Sequence, residues 1–366
     1  MPTLNIDPTK TRVLMEFKHG RPLIGCRFDP AGRYLFAASE DDTIQRFDLL
    51  TGEKTSFVGP KSWTRGLAFV AQNPAVVPLA AIPASAIAGA TTLFRKPAPF
   101  TLLSGDYHGK LHWWNGTDDA PKPTNSINAH DGWVRAVAVS PDGTTVATCG
   151  NDNLVKLWSA LDGRPIRTFE GHLSHVYNVA FHPNGQRLVS ADLKGTVKDW
   201  DIAAGKLVRD LDAKVFHKYD TGFGADIGGV RGIAFNASGT QLACIGITNV
   251  SNAFAGVGNP LTVLFDWADG KPKLLKPKDA FQGTGWGVHI HANGFVVGAG
   301  GGGQGRIWFW NPADGANTHT VTVPTNARDM AVHPDGTALA IAGSNGTAYL
   351  YTMTPAPPAG TPPKKA

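Results

Sequence analysis

The stretch GWVRAVAVSPDGTTVATCGNDNLVKLW, residues 132–158, reads as short apolar strands around a turn, with one arginine, Arg135, set in the valine run. An isolated charge is costly to bury, and its immediate neighbours do not explain it. The turn, Ser140-Pro141-Asp142-Gly143, recurs as His182-Pro183-Asn184-Gly185 and His333-Pro334-Asp335-Gly336. Looser copies are Asp29-Pro30-Ala31-Gly32, Asn236-Ala237-Ser238-Gly239 and His291-Ala292-Asn293-Gly294. Pro presets the first turn residue and Gly supplies the positive φ that closes a hairpin.

The spacing of these turns sets a period. Gly143 to Gly185 and Gly294 to Gly336 are each 42 residues. The intervals of 54 and 55 residues around Gly239 are one period plus an insertion, and Gly32 to Gly143, 111 residues, is two periods plus 27. The copy hidden in that interval starts at SWTRGLAFV, with an Ala/Pro-rich insertion, residues 71–97, in its first hairpin. Each unit closes on an aromatic: Phe47, Trp114, Trp158, Trp200, Phe265, Trp310 and Tyr351. Seven all-strand units that cannot bury both faces alone predict an all-β fold, a seven-bladed β-propeller of four-stranded antiparallel blades. The length of 366 residues, which alone points to two or three domains, is then one ring.

On these residues the chain resembles the WD-repeat (WD40) propellers over nearly all of residues 11–353. The resemblance implies a structural His–Ser/Thr–Asp–Trp hydrogen-bond chain in some blades. The third unit has the full set, His130, Thr148, Asp152 and Trp158. The first keeps His19 and Asp41 but has Ala37 and Phe47; the fourth keeps His172, Ser190 and Trp200 but has Lys194 at the acid's place. The resemblance also implies that the N-terminal segment TRVLMEF, residues 11–17, supplies the outer strand of the last blade. The tail, residues 354–366, is Pro-rich and expected to be extended.

Aligning the units on the apolar residue before each turn places Ile24, Arg65, Arg135, Tyr177, Arg231, Trp286 and Arg328 in one column. By resemblance this column begins the innermost strands and faces the top opening of the central channel. Arg65, Arg135, Arg231 and Arg328 are then four cations around a wet hole, with Tyr177 and Trp286 among them. Such a ring suits a carboxylate- or phosphate-bearing peptide; the alternative is that the arginines only solvate the channel or pair with neighbouring blades. The stretches 214–229, 249–259 and 298–305 are expected as long top-face loops, carrying Phe216, Tyr219, Phe223 and Phe254.

Composition narrows the rest. A net charge of +5 with no dense Lys/Arg stripe argues against nucleic acid, although non-specific binding through a basic surface is the alternative function. Cys26, Cys149 and Cys244 lie far apart in apolar runs, as buried free thiols in a reducing compartment, and a cytoplasmic location is expected. No basic n-region with an apolar core opens the chain. The uncharged run 76–94 is interrupted by Pro78, Pro83 and Gly89 and reads as a surface insertion rather than a membrane span. The glycine run 298–305 lacks the Lys-Ser/Thr of a phosphate loop, and His291 of the His289/His291 pair repeats a turn position, so neither cofactor nor metal is expected. No GxSxG elbow is present, and an enzyme of unrecognised type is the least favoured reading. The function expected is a non-enzymatic scaffold binding a partner protein or acidic peptide. Neither the partner's identity nor the oligomeric state is readable, and the 71–97 insertion is a possible second docking surface.

Overall fold

A computed structural model describes residues 5–71, 76, 79, 98–252 and 257–356. Seven four-stranded antiparallel sheets form the blades of a propeller. Their innermost strands are Leu23–Phe28, Thr64–Val70, Val134–Val139, Val176–Phe181, Val230–Phe235, Thr284–Ile290 and Ala327–Val332, for blades 1 to 7 in order. The ring closes through Arg12–Lys18, which pairs with Thr347–Thr352 as the outer strand of blade 7. That closure leaves no blade with an unpaired fourth strand. Short 3-10 turns accompany the strands at Pro8–Lys10 and Lys214–Phe216, and no helix among the described residues is long and apolar enough to cross a membrane. Most of the 71–97 insertion, and residues 357–366 of the tail, lie outside the described residues.

The core is a set of layers between neighbouring blades. Between blades 3 and 4, Ala147, Cys149, Val155 and Leu157 meet Val176, Val179, Leu188 and Trp200. All seven aromatics that close the units are buried, from Trp114 at 0% to Trp158 at 8% exposure. Cys26, Cys149 and Cys244 are free and buried, and burial holds their thiols far above the usual range, protonated and inert.

Buried hydrogen-bond chains tie strands together inside the blades. In blade 3, Trp158 Nε1 donates to Thr148 Oγ1 at 2.8 Å, Thr148 meets His130 Nε2 at 2.7 Å, and His130 Nδ1 lies 2.8 Å from Asp152. Blade 4 has a complete chain as well, contrary to the expectation from Lys194: Asp192, at the end of the second strand, takes His172 Nδ1 at 2.8 Å. Blade 3 has glycine at the position of Asp192, and a Cβ on Gly150 would stand 2.8 Å from the His130 ring. The acid therefore comes either from the strand end or from two residues later in the turn, not from both. In blade 1, where Ala37 replaces the hydroxyl, His19 keeps Asp41 at 2.7 Å but its Nδ1 is buried without a partner.

Histidines in the lower turns join one blade to the next. Nε2 of His182, His291 and His333 each lies 2.9 Å from a turn carbonyl of the following blade: Gly239, Gly336 and Gly32. Nδ1 of His182 and His291 accepts from the backbone N–H two residues on, at 3.2 and 3.0 Å, and Nδ1 of His333 lies 2.7 Å from the Asp335 carboxylate of its own turn. The third clasp spans the joint between blades 7 and 1, where the chain ends meet. His291 is thus a clasp residue, stacked on Phe295 at 4.3 Å.

Two outcomes follow. Gly32 has φ +74° and a Cβ there would fall 2.4 Å from His333 Nε2, whereas Gly294 has φ +83° and nothing within 4 Å. In urea unfolding, Gly294→Ala should cost only the conformational strain, about 1 kcal/mol, and Gly32→Ala clearly more, because it also breaks a buried hydrogen bond; equal losses would show the clasp contributes nothing. Second, His130 accepts from Thr148 and donates to Asp152, whose carboxyl is held down to about 2 despite burial, by the His130 hydrogen bond and charge first and Lys156 next. Because that pKa is depressed from 3.8, its stabilisation is present above pH 4 and lost as pH falls towards 2. Wild type should lose about 2 kcal/mol more than Asp152→Asn across that window.

Candidate functional site

Around the axis, the seven inner strands converge and each sheds one residue from its ladder. The register slips once in every inner strand, and the unpaired residue is always the column residue: Ile24, Arg65, Arg135, Tyr177, Arg231, Trp286 or Arg328. A bulge re-aims its side chain out of the sheet's alternation. Arg135 therefore escapes the interblade layer that holds Val134 and Val137. In five blades the residue after the bulge is Gly or Ala (Gly25, Gly66, Ala136, Gly232 and Gly287), with Asn178 and Asp329 in the other two, and at the glycines the next blade's backbone is close. A Cβ on Gly232 would stand 2.6 Å from Trp286 O, and one on Gly25 2.9 Å from Arg65 O.

Five of the six predicted residues meet at the top of the axis. Arg65 lies over Trp286 at 4.4 Å, Trp286 is 5.4 Å from Arg231, Arg231 and Arg135 each lie 4.5 Å from Tyr177, and Arg135 is 4.3 Å from Trp133. Cation and aromatic alternate. Since Arg65 belongs to blade 2 and Trp286 to blade 6, the Arg65 side chain reaches across the opening. Beneath lies a hollow of about 280 Å³, walled by Gly66, Ala136, Gly232 and Gly287 as well as the five.

The mouth is less open than the sequence implies, and Arg328 is not part of it. Arg328 forms an ion pair with Glu40 of blade 1, and it does not line the hollow. The three other arginines have no carboxylate partner among the described residues. Arg135 Nε donates to the Asn151 amide oxygen at 2.7 Å, and Arg231 donates to Gly228 O at 2.6 Å while its Nε is buried without a partner. All three are half-buried. Burial, chiefly, lowers the pKa of Arg135 and Arg231, with neighbouring guanidinium groups adding to it. Lower in the channel, Arg27 is neutralised by Asp329 at 2.6 Å. His289 lines the same hollow, with its pKa pushed down to about 4 by burial and by His291. Among the described residues no group of three His, Cys, Asp or Glu can hold a metal.

The expected top loops are mostly strands. Residues 217–228 form a hairpin between blades 4 and 5, and 241–252 with 257–266 form an elongated one in blade 5. Ile227 of the first packs on Ile247 and Val250 of the second. Phe216 is a core residue, 1% exposed, because it fills the layer between blades 4 and 5; Tyr219 and Phe223 are exposed, and Phe254 lies outside the described residues. The glycine run is a strand pair, Val296–Gly301 with Gly305–Trp310, closed by a tight turn. All of its glycines but Gly303 are needed for packing: a Cβ on Gly300 would meet Thr284 O at 2.2 Å, whereas one on Gly303 would meet nothing within 4 Å.

Sequence reasoning missed one group. Trp133 stacks on Tyr107 at 3.9 Å and 6°, and Tyr107 is 6.1 Å from Trp63. The available signal was the repeated Trp-x-Arg of Trp63/Arg65 and Trp133/Arg135.

A buried cation without an anion is a stability cost that a bound anion relieves. Arg231→Met should raise the thermal midpoint, by the equivalent of about 1 kcal/mol. Added phosphate should raise the midpoint of wild type and leave Arg65/Arg135/Arg231→Met unmoved; a lower midpoint for Arg231→Met would show that its stacking outweighs its desolvation.

Comparisons with known proteins agree with the architecture. The repeat family "WD domain, G-beta repeat" matches residues 11–48, 121–159 and 163–201. Similar proteins include Polyadenylation factor subunit 2 of Candida albicans, 37% identical over 67 residues, which are 18% of this chain and 12% of that protein. Ribosome assembly protein 4 of Chaetomium thermophilum is 38% identical over 66 residues, 18% of this chain and 13% of that one. Small ribosomal subunit protein RACK1y of Oryza sativa subsp. japonica is 37% identical over 68 residues, 19% of this chain and 20% of that one. The matched segments thus span a fifth or less of these relatives.

Proposed function

The chain belongs to the WD-repeat β-propellers, and from that premise we propose that it is a non-enzymatic interaction platform whose top face takes an anionic segment of another protein. The observation that carries this is the mouth itself: Arg65, Arg135 and Arg231 around one hollow, interleaved with Tyr177 and Trp286 and with no carboxylate partner among the described residues. A structural cation in a fold is ordinarily matched, as Arg328 is by Glu40 and Arg33 by Asp48 at 2.7 Å. Three unmatched ones in one place are poised for an anion from outside. Guanidinium forks suit carboxylate and phosphate alike, and each charge-assisted contact is worth about 1.5–3 kcal/mol.

Relatives named as a subunit of a polyadenylation factor and a small ribosomal subunit protein are members of assemblies, which supports a scaffold role here. A reducing, cytoplasmic setting belongs to the same reading, supported by three buried free thiols.

The test is fluorescence anisotropy with labelled Glu-rich and phosphoserine peptides and a neutral scramble. Wild type should bind at least one anionic peptide and not the scramble. Arg135→Ala with Arg231→Ala should weaken it at least tenfold per arginine (about 1.4 kcal/mol each or more) with no drop in thermal midpoint. Comparing the two anionic probes separates carboxylate from phosphate. Unchanged affinity in the double variant removes the mouth as the site.

A further inference from the structure

Trp63 and Trp133 occupy the position two residues before the bulge in blades 2 and 3. The corresponding residues of the other blades are Pro22, His175, Gly229, Thr284 and Asn326, so the fold does not require an aromatic there. Nor do these rings fill a core: Trp63 is 41% and Trp133 38% exposed. They are nonetheless ordered. Tyr107 N–H donates to Trp63 O at 2.9 Å and Asn151 N–H to Trp133 O at 3.1 Å, which fixes both backbones to the neighbouring hairpins. With Tyr107 the two tryptophans make one continuous shelf across the rims of two blades. Leu173, 84% exposed, sits on the rim of blade 4 next to the buried His172.

The shelf is continuous with the cationic mouth. Arg135 lies 4.3 Å from Trp133 and 5.9 Å from Tyr107, so the same guanidinium borders both surfaces. Rigid aromatics beside an arginine are the composition of binding hot spots, and their order is already established before a partner arrives. An extended peptide advances about 3.4 Å per residue. With an anionic side chain at Arg135, the residue one or two positions away falls over Trp133, Tyr107 and Trp63.

We propose that Trp63, Tyr107 and Trp133 form a specificity shelf that takes an aliphatic or aromatic side chain flanking the anionic residue of a bound linear peptide. This rests on the reading of the mouth above and adds the partner's second feature. A peptide fits better than a single-stranded nucleic acid for two reasons. Trp133 and Tyr107 are closed on each other at 3.9 Å, with no gap for a base between them. The cations also surround one hollow instead of lining a track that a phosphodiester backbone would follow.

The experiment uses labelled ten-residue peptides with a central phosphoserine or glutamate, flanked either by Leu and Phe or by Ser. Wild type should bind the Leu/Phe-flanked peptide about tenfold more tightly than the Ser-flanked one. Trp63→Ala should erase that preference and leave the Ser-flanked affinity and the thermal midpoint where they were, because Trp63 borders neither Arg135 nor Arg231. Trp63→Gln, which keeps a side chain of some length, should behave the same way. A preference retained in both variants overturns the shelf and leaves the mouth standing. Wild type binding none of the anionic peptides overturns the mouth, and the shelf with it. An oligouridylate that displaces the peptide with a steep salt dependence overturns the peptide assignment in favour of nucleic acid.

Discussion

Everything at the top of this molecule depends on how seven inner strands approach one axis. Near the centre the neighbouring backbones come so close that a single methylene at Gly25, Gly66, Gly232 or Gly287 would stand 3.0 Å or less from an atom of the next blade. Strands this crowded cannot keep a full antiparallel ladder to their upper ends, and each drops one residue from the pairing. The bulge satisfies the geometry, and in doing so creates a position released from the sheet's in–out alternation. Seven such positions form a ring. At six of them the sequence places what an interblade layer would not accept, four arginines, a tyrosine and a tryptophan, while the seventh, Ile24, stays buried in the layer between blades 1 and 2.

How those charges coexist is a matter of magnitudes. Tyr177 lies 4.5 Å from both Arg135 and Arg231, so the two guanidinium carbons are at most twice that apart. At this separation their repulsion is about 0.5 kcal/mol in bulk water and about 2 kcal/mol at the effective dielectric of a half-buried site. Two cation–π contacts on the shared ring, each about 0.5–1 kcal/mol or more where desolvated, are of the same size. The aromatic between each pair is therefore what makes the cluster tolerable without an anion. Trp286 does the same between Arg231 and Arg65. What interleaving does not supply is a counter-charge, and the lowered pKa values of Arg135 and Arg231 register that deficit.

The ring was legible in the sequence because its punctuation is local chemistry: turn glycines at a fixed period and a buried aromatic at the end of each third strand. The column of Arg65, Arg135, Arg231, Tyr177 and Trp286 was legible for the same reason, since register along a strand transfers from unit to unit. What failed to show was pairing between units. Nothing near Arg328 in the chain announces Glu40, which lies in the first blade and reaches it only through ring closure. Asp192 was overlooked because the acid of the hydrogen-bond chain has two geometric sources, and the pattern names one of them. Phe216 looked like a loop aromatic because a hairpin inserted between blades carries the same polar, glycine-rich composition as an irregular loop. Trp63 and Trp133 read as ordinary strand-entry residues until the stack with Tyr107, from a different hairpin, put them on one surface.

The two ends of the propeller divide the labour in opposite senses. At the bottom, polar groups are matched: His182, His291 and His333 use both ring nitrogens, one on their own turn and one on the next blade's. Three such clasps, one of them at the joint where the N-terminal strand closes the ring, hold the blades at fixed angles. At the top, polar groups are left short: Arg231 Nε has no partner and no carboxylate faces Arg65 or Arg135 among the described residues. A cluster that repels itself would push blades apart if the joints were soft. Because the inner-strand packing and the lower clasps resist that movement, the unmet charge stays at the mouth instead of relaxing into a wider ring, which is what the proposed affinity for an anion requires. On the proposed reading, the rigidity below is thus a condition for recognition above, and a propeller with the same arginines on looser joints would spend such an affinity on its own distortion.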